Sequence, residues 1–157
     1  LALAVGFLLL QSGGSLEGSN PSITLQADSV DARNGNCCQR VRIHHETGTT
    51  IGLEHVELLV TFSAHDKRAR LTDLPTSVLD QGDYTGHHVF SLGDIGVGGA
   101  ADADSAGDGR FAAGDTIEFR IEPKRLDLRP GETVVVTVFN GTSETRLGQA
   151  NASVQGN

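Results

Sequence analysis

From Ile23 onward, apolar side chains recur at every second residue in one short segment after another, and this period of two is what most limits how the chain can fold. Ile23, Leu25 and Ala27 alternate with Thr24, Gln26 and Asp28, and Val41, Ile43 and His45 alternate with Arg40, Arg42 and His44. Val56, Leu58, Val60 and Phe62 continue the pattern, as do Ile117, Phe119 and Ile121 against Glu118, Arg120 and Glu122. Successive side chains of an extended strand point to opposite faces, so each segment reads as a half-buried strand. Val134 to Phe139 is apolar on both faces apart from Thr137, the pattern of a central strand.

Turn chemistry divides these segments. Arg129-Pro130-Gly131 has the residues of a type II turn, and Asn140-Gly141 predicts a two-residue hairpin with a return strand from Thr142 toward Leu147 and Val154. A further strand over His87 to Leu92 brings the count to about seven. The chain has 20 glycines in 157 residues, no methionine and no window of helical period after the N-terminal segment. The expected fold is therefore mainly β: an N-terminal apolar α-helix followed by an antiparallel, Ig-like β-sandwich of about seven strands.

The N-terminal segment obeys different rules. Leu1 to Leu10 contains only Leu, Ala, Val, Gly and Phe, and no charge precedes Glu17. As a helix, residues 1–16 would span ~24 Å, less than the ~30 Å, or ~20 residues, that a bilayer crossing needs. The charged n-region and cleavage site of a signal peptide are not visible either, which leaves the distal part of a longer apolar helix whose beginning lies before residue 1. A start without Met fits processing or truncation. Burying Leu1, Leu3, Val5, Phe7, Leu8, Leu9 and Leu10 is worth on the order of 10–20 kcal/mol before entropy, so water is an unsuitable surrounding. Neighbouring helices or lipid would satisfy the segment. We divide the chain into an apolar helix over 1–16, a Gly/Ser-rich linker over 17–22 and a β-sandwich head over 23–157.

Twelve basic and twenty acidic side chains give a net charge of −8, which repels phosphate backbones and argues against a nucleic-acid partner. Ten of the twelve cations are Arg and twelve of the twenty anions are Asp, a balance that fits either a salt-adapted protein or a small acidic domain by chance.

One acidic loop has the spacing of a calcium site. Taking Asp104 as position one places Asp108 at five, Gly109 at six, the Arg110 carbonyl at seven, Phe111 at eight and Asp115 at twelve. Position three is Ala106, so Asp102 or water would complete the shell, and no flanking helices are expected. The alternative is a solvated acidic turn leading into the strand at Ile117. Six histidines, His44, His45, His55, His65, His87 and His88, include two adjacent pairs, but neighbours on a strand face opposite ways and cannot grip one ion. We expect surface or sheet-edge histidines. No nucleophile elbow, phosphate loop or His-Glu-x-x-His motif occurs, and no enzymatic activity is expected. The adjacent Cys37 and Cys38 allow a vicinal disulfide, an inter-chain disulfide or free thiols. Asn140-Gly-Thr142 and Asn151-Ala-Ser153 are N-glycosylation sequons.

Taken together, the apolar run Leu1-Ala-Leu-Ala-Val-Gly-Phe-Leu-Leu-Leu10, the Gly/Ser break, and stretches such as Gly114-Asp-Thr-Ile-Glu-Phe119 and Arg129-Pro-Gly-Glu-Thr-Val134 resemble archaeal type IV pilins, especially the haloarchaeal ones, with archaellins as close relatives. The resemblance implies an extracellular structural subunit that polymerises with copies of itself, with Leu1, Leu3, Val5, Gly6, Phe7, Leu8, Leu9 and Leu10 in a helical core and the β domain outermost. It also implies a membrane-held subunit before assembly and adhesion to surfaces or other cells afterwards. The competing expectations are an anchored or secreted, calcium-stabilised binding module and the archaellin of a motility filament.

Overall fold

In the computed structural model the residues described are 22–32, 39–74, 79–92 and 109–156. They form eleven strands: β1 (Ile23–Ala27), β2 (Val30–Asp31), β3 (Arg40–Gly48), β4 (Ile51–Gly52), β5 (Val56–Phe62), β6 (His65–Leu71), β7 (Tyr84–Gly86), β8 (Arg110–Phe111), β9 (Thr116–Arg120), β10 (Thr133–Asn140) and β11 (Thr145–Gln155). Two single 3₁₀ turns, Leu53–His55 and Gln81–Asp83, are the only helical pieces among the described residues. The expected N-terminal helix lies outside the described residues.

The strands make a three-stranded sheet in the order β1-β3-β9, a six-stranded sheet in the order β2-β11-β10-β5-β6-β7, and the small pair β4-β8. The expected count of seven is too low, and the ladder is not wholly antiparallel, because β2 pairs with β11 in parallel through Val30 and Val154. A single bridge joins Phe90 to Ile121, where the sequence predicts a whole strand over His87 to Leu92. The pairing in that region falls earlier, on β7 against β6.

Strand parity follows the sequence pattern. Val41, Ile43, Ile117 and Phe119 of the small sheet and Leu58, Val60, Val134, Val136 and Val138 of the large sheet are all fully buried in one apolar cluster. Phe119 meets Phe90 edge-on, with ring centroids 5.8 Å apart. β11 approaches β1 so closely that a Cβ at Gly148 would collide with the Ile23 carbonyl, which accounts for glycine there.

The two turns behave differently. At Arg129-Pro130-Gly131, Gly131 has φ of 93° and the Glu132 N–H donates to the Arg129 carbonyl at 3.1 Å, as a type II turn requires. The hairpin after β10 is not the expected two-residue turn. Asn140 pairs with Thr145, leaving a four-residue loop in which Asn140 Oδ1 accepts from the N–H of Thr142 at 2.9 Å, and non-glycine Glu144 takes the left-handed conformation with φ of 57°. The Asn140 side chain organises this turn itself, so Gly141 does not need a positive φ.

Candidate functional site

Of the residues proposed for calcium, Asp102, Asp104 and Asp108 lie outside the described residues. Gly109 adopts φ of 72°, in keeping with glycine at a sharp bend. Arg110 sits on β8 opposite Gly52. The buried Asp115 uses Oδ2 to accept from the Ala112 N–H at 2.8 Å while its own N–H donates to the Ala112 carbonyl at 2.9 Å. Among the described residues no group of three or more His, Cys, Asp or Glu is placed to hold a metal ion. Cys37, Cys38 and the apolar residues Leu1 to Leu10 also lie outside the described residues.

The histidines divide into separate roles. His44 on β3 bridges its neighbours, with Nδ1 at 2.7 Å from Thr116 Oγ1 on β9 and Nε2 at 2.9 Å from Asp28 Oδ1 just after β1. This clip ties the three strands of the small sheet across its outer face. His45, one residue on, points the other way and is only 1% exposed, against the expectation of a surface position. Its ring packs edge-on to Phe111 at 5.0 Å and Nε2 lies 2.8 Å from the Thr49 carbonyl oxygen. Inward parity on β3 outweighs the polarity of the imidazole here: the connection between β3 and β4 supplies a carbonyl for Nε2, while Nδ1 is buried without a protein hydrogen-bond partner among the described residues. His65 pairs with Glu132 at 3.0 Å, and His55 Nδ1 lies 3.2 Å from Thr142 Oγ1.

His88 packs against Tyr84, with centroids 5.6 Å apart. Burial holds its pKa below the ordinary imidazole value, the Arg125 charge lowers it further, and Glu122 offsets part of this. A folded-state value below the unfolded one means that protonation favours the unfolded chain, so any contribution of His88 is present above its unfolded pKa and is lost as pH falls. We expect the His88 ring signals in an NMR titration to move at a lower pH than those of a histidine in a short peptide, and to move toward it in Arg125→Gln. A midpoint at or above the peptide value would remove this description of the site.

Both sequons are visible. Asn140 closes its hairpin as described, and Asn151 projects outward from β11 opposite Val135.

The outward face of the large sheet has a different composition from that of the small one. On the small sheet the outer face is charged and ion-paired, with Arg40 and Arg42 both reaching Glu118 at 3.3 and 3.6 Å. On the large sheet the register places Thr137 beside Leu59, Leu59 beside Arg70, and Val135 beside Thr61, itself beside Arg68. Phe139 completes the row opposite Glu57. Phe139, Thr137, Val135, Leu59 and Thr61 are half-buried, whereas Arg68 and Arg146 are exposed. Arg70 lies over the Phe139 ring at 4.7 Å and forms ion pairs with Glu57 at 2.8 Å and Glu144 at 3.1 Å. The result is an apolar and threonine-rich centre whose margin mixes arginines with Glu57, Glu144 and Asp66. Sequence reasoning finds half of this surface through the two-faced pattern of β10 and misses the arginines, because β6 carries too few apolar residues to read as a strand.

Comparison of the chain with models of protein families finds no match, and comparisons with curated proteins and with solved structures find none either.

Proposed function

We propose that this chain is the structural subunit of an extracellular filament of the archaeal type IV pilus kind, polymerising through residues 1–16 with an Ig-like sandwich outermost and serving in surface attachment. The observation that carries the reading is the union of two segments with opposite solvent needs. Leu1 to Leu10 holds no polar side chain, and after a Gly/Ser break it leads into a β-rich head. Glycines between the two let the helix and head take independent orientations.

The strand order supports the Ig-like assignment of the head. A sheet β1-β3-β9, extended by the Phe90–Ile121 bridge, corresponds to strands A, B, E and the start of D. The sheet β2-β11-β10-β5-β6-β7 corresponds to A′, G, F, C, C′ and C″, the larger sheet of a variable-type domain. The parallel β2-β11 pair fits this order, because a first strand that changes sheets must run alongside the last one. On this reading a vicinal or inter-chain Cys37–Cys38 bridge, glycans on Asn140 or Asn151, and Ca²⁺ at the 102–115 loop are accessory features, and the subunit has no enzymatic role.

The test is Leu8→Asp. An unpaired charge among bundled apolar tails is strongly unfavourable, so cells carrying this variant should show no surface filaments by electron microscopy while the head remains folded. Filaments of normal number and length would remove the helical-core reading and favour an anchored binding module. Among the described residues no helix is long and apolar enough to cross a membrane.

A further inference from the structure

An asparagine followed by glycine is prone to lose its side-chain amide, because no Cβ shields the next backbone nitrogen from the asparagine carboxamide carbon. That nitrogen gives up its proton to water or hydroxide and attacks Cγ. The Cγ–Nδ2 bond breaks, ammonia leaves, and the five-membered succinimide takes up water at one of its two carbonyls to give aspartate or isoaspartate. The fold calls for this pair at 140–141 on two separate grounds. Asn140 is needed for its side chain, which closes the turn by accepting from the N–H groups of Thr142 at 2.9 Å and Ser143 at 3.3 Å. Gly141 is needed for its lack of one: a Cβ there would strike the Glu57 side chain, which Arg70 holds in place at 2.8 Å.

We propose that Asn140-Gly141 is a latent self-modification site, closed to succinimide formation in the folded hairpin and open only in chains whose β5-β10-β11 end has come apart. Two features of the folded state close it. The Gly141 N–H donates to the His55 carbonyl at 2.7 Å, so the proton that must leave is already bound, and an anion formed on that nitrogen would face an oxygen lone pair. Ring closure also requires the Gly141 nitrogen to eclipse Cβ about the Cα–C bond of Asn140. Strand backbone, with ψ of about +135°, holds that nitrogen roughly 100° away, and Asn140 is kept in the strand by pairing with Val56 on one side and Thr145 on the other. The N–H groups on Oδ1 work in the opposite sense, since they draw charge from Cγ and favour attack. That activation has no outlet while the ring cannot form. Once it occurs, the reaction is not undone by refolding. Either product puts a new carboxylate close to Glu57, and isoaspartate adds a backbone atom that shifts the register with Val56 and Thr145. Both remove the nitrogen on which the Asn140-Gly-Thr142 sequon depends.

The experiment uses the full chain, produced in a host that does not glycosylate it and kept in mildly alkaline buffer, either folded or in concentrated urea. Peptide mass spectrometry follows conversion of Asn140, with Asn34-Gly35, the other Asn-Gly pair of the chain, as internal reference. In urea both pairs should convert at similar rates. In the folded chain Asn140 should convert at least about tenfold more slowly than in urea, as expected of a step that waits on local opening. Its rate should rise in step with hydrogen exchange of the Gly141 amide as urea is added. Equal conversion of Asn140 in folded and unfolded chain would overturn the closure. Slow conversion that does not follow Gly141 exchange would remove opening as the route, and a rate in urea well below that of Asn34 would remove the latent site itself.

Discussion

Replacing Phe119 with alanine is expected to cost the domain roughly 3–5 kcal/mol. The ring is fully buried at the centre of β9, edge-on to Phe90, which is in turn edge-on to Tyr84 at 5.5 Å. β9 cannot slide inward to fill the space, because Phe119 is paired with Val41 and its neighbours Glu118 and Arg120 are paired with Arg42 and Arg40 along the same ladder. A cavity that cannot collapse keeps its full penalty. Denaturant titration should show a large drop in midpoint at constant slope, and a loss below about 1 kcal/mol would mean that the side chain does not sit between the sheets.

The second large effect is expected at a polar residue. Gln39 is fully buried with φ of 62°, a left-handed conformation seldom taken by a residue with a Cβ. Its side chain meets three backbone groups: Oε1 accepts from the Leu128 N–H at 2.8 Å, and Nε2 donates to the carbonyls of Ile121 at 3.0 Å and Leu126 at 3.1 Å. Its backbone is fixed as well, donating to the Asp31 carbonyl at 2.9 Å and accepting from the Ile121 N–H at 3.0 Å. Gln39→Leu keeps the volume and leaves one donor and two acceptors without partners. Each such group costs about 1–3 kcal/mol, so we expect a loss on the order of 3–5 kcal/mol after partial relaxation. Gln39→Gly relieves the backbone and leaves the same three groups unmet, so it too should be clearly destabilised. Parent-like stability in both variants would show that the clamp contributes nothing.

These two residues also mark what the sequence could and could not convey. Phe119 is legible because its neighbours two places away are apolar and those between are charged. The same alternation makes β5 legible, where Leu58, Val60 and Phe62 all point inward. β6 is illegible, since His65-Asp-Lys-Arg-Ala-Arg-Leu71 buries only Ala69 and Leu71 and is a strand because β5 and β7 pair with it on either side. Gln39 carries no local signal at all. Its partners lie 82, 87 and 89 residues further along the chain, and nothing in a glutamine beside a turn announces that distance. His45 defeats the expectation of a surface histidine because strand parity, not residue type, decides which way its ring points. The large sheet is half legible: the two-faced pattern of β10 signals a central strand, as it is between β11 and β5, but only the register shows which charged side chains of β6 and β11 lie near its outer face.

The crossing of the first strand segment from one sheet to the other has a mechanical consequence. β1 is held by β3 and, three residues later, β2 is held by β11, so one short run of chain fastens both layers. In a subunit anchored through its N-terminal segment, tension enters the head along this run before it reaches any other strand. β1 is paired with β3 along its five residues, while the two-residue β2 ladder is the shorter fastening. Once both let go, residues 23–31 add roughly 30 Å of extensible chain, at about 3.3–3.6 Å per residue, between anchor and head. The ladders β3-β9, β11-β10-β5-β6-β7 and β4-β8 include neither β1 nor β2. For a subunit anchored as proposed, this run is a reserve of length that stands between the anchor and the rest of the head.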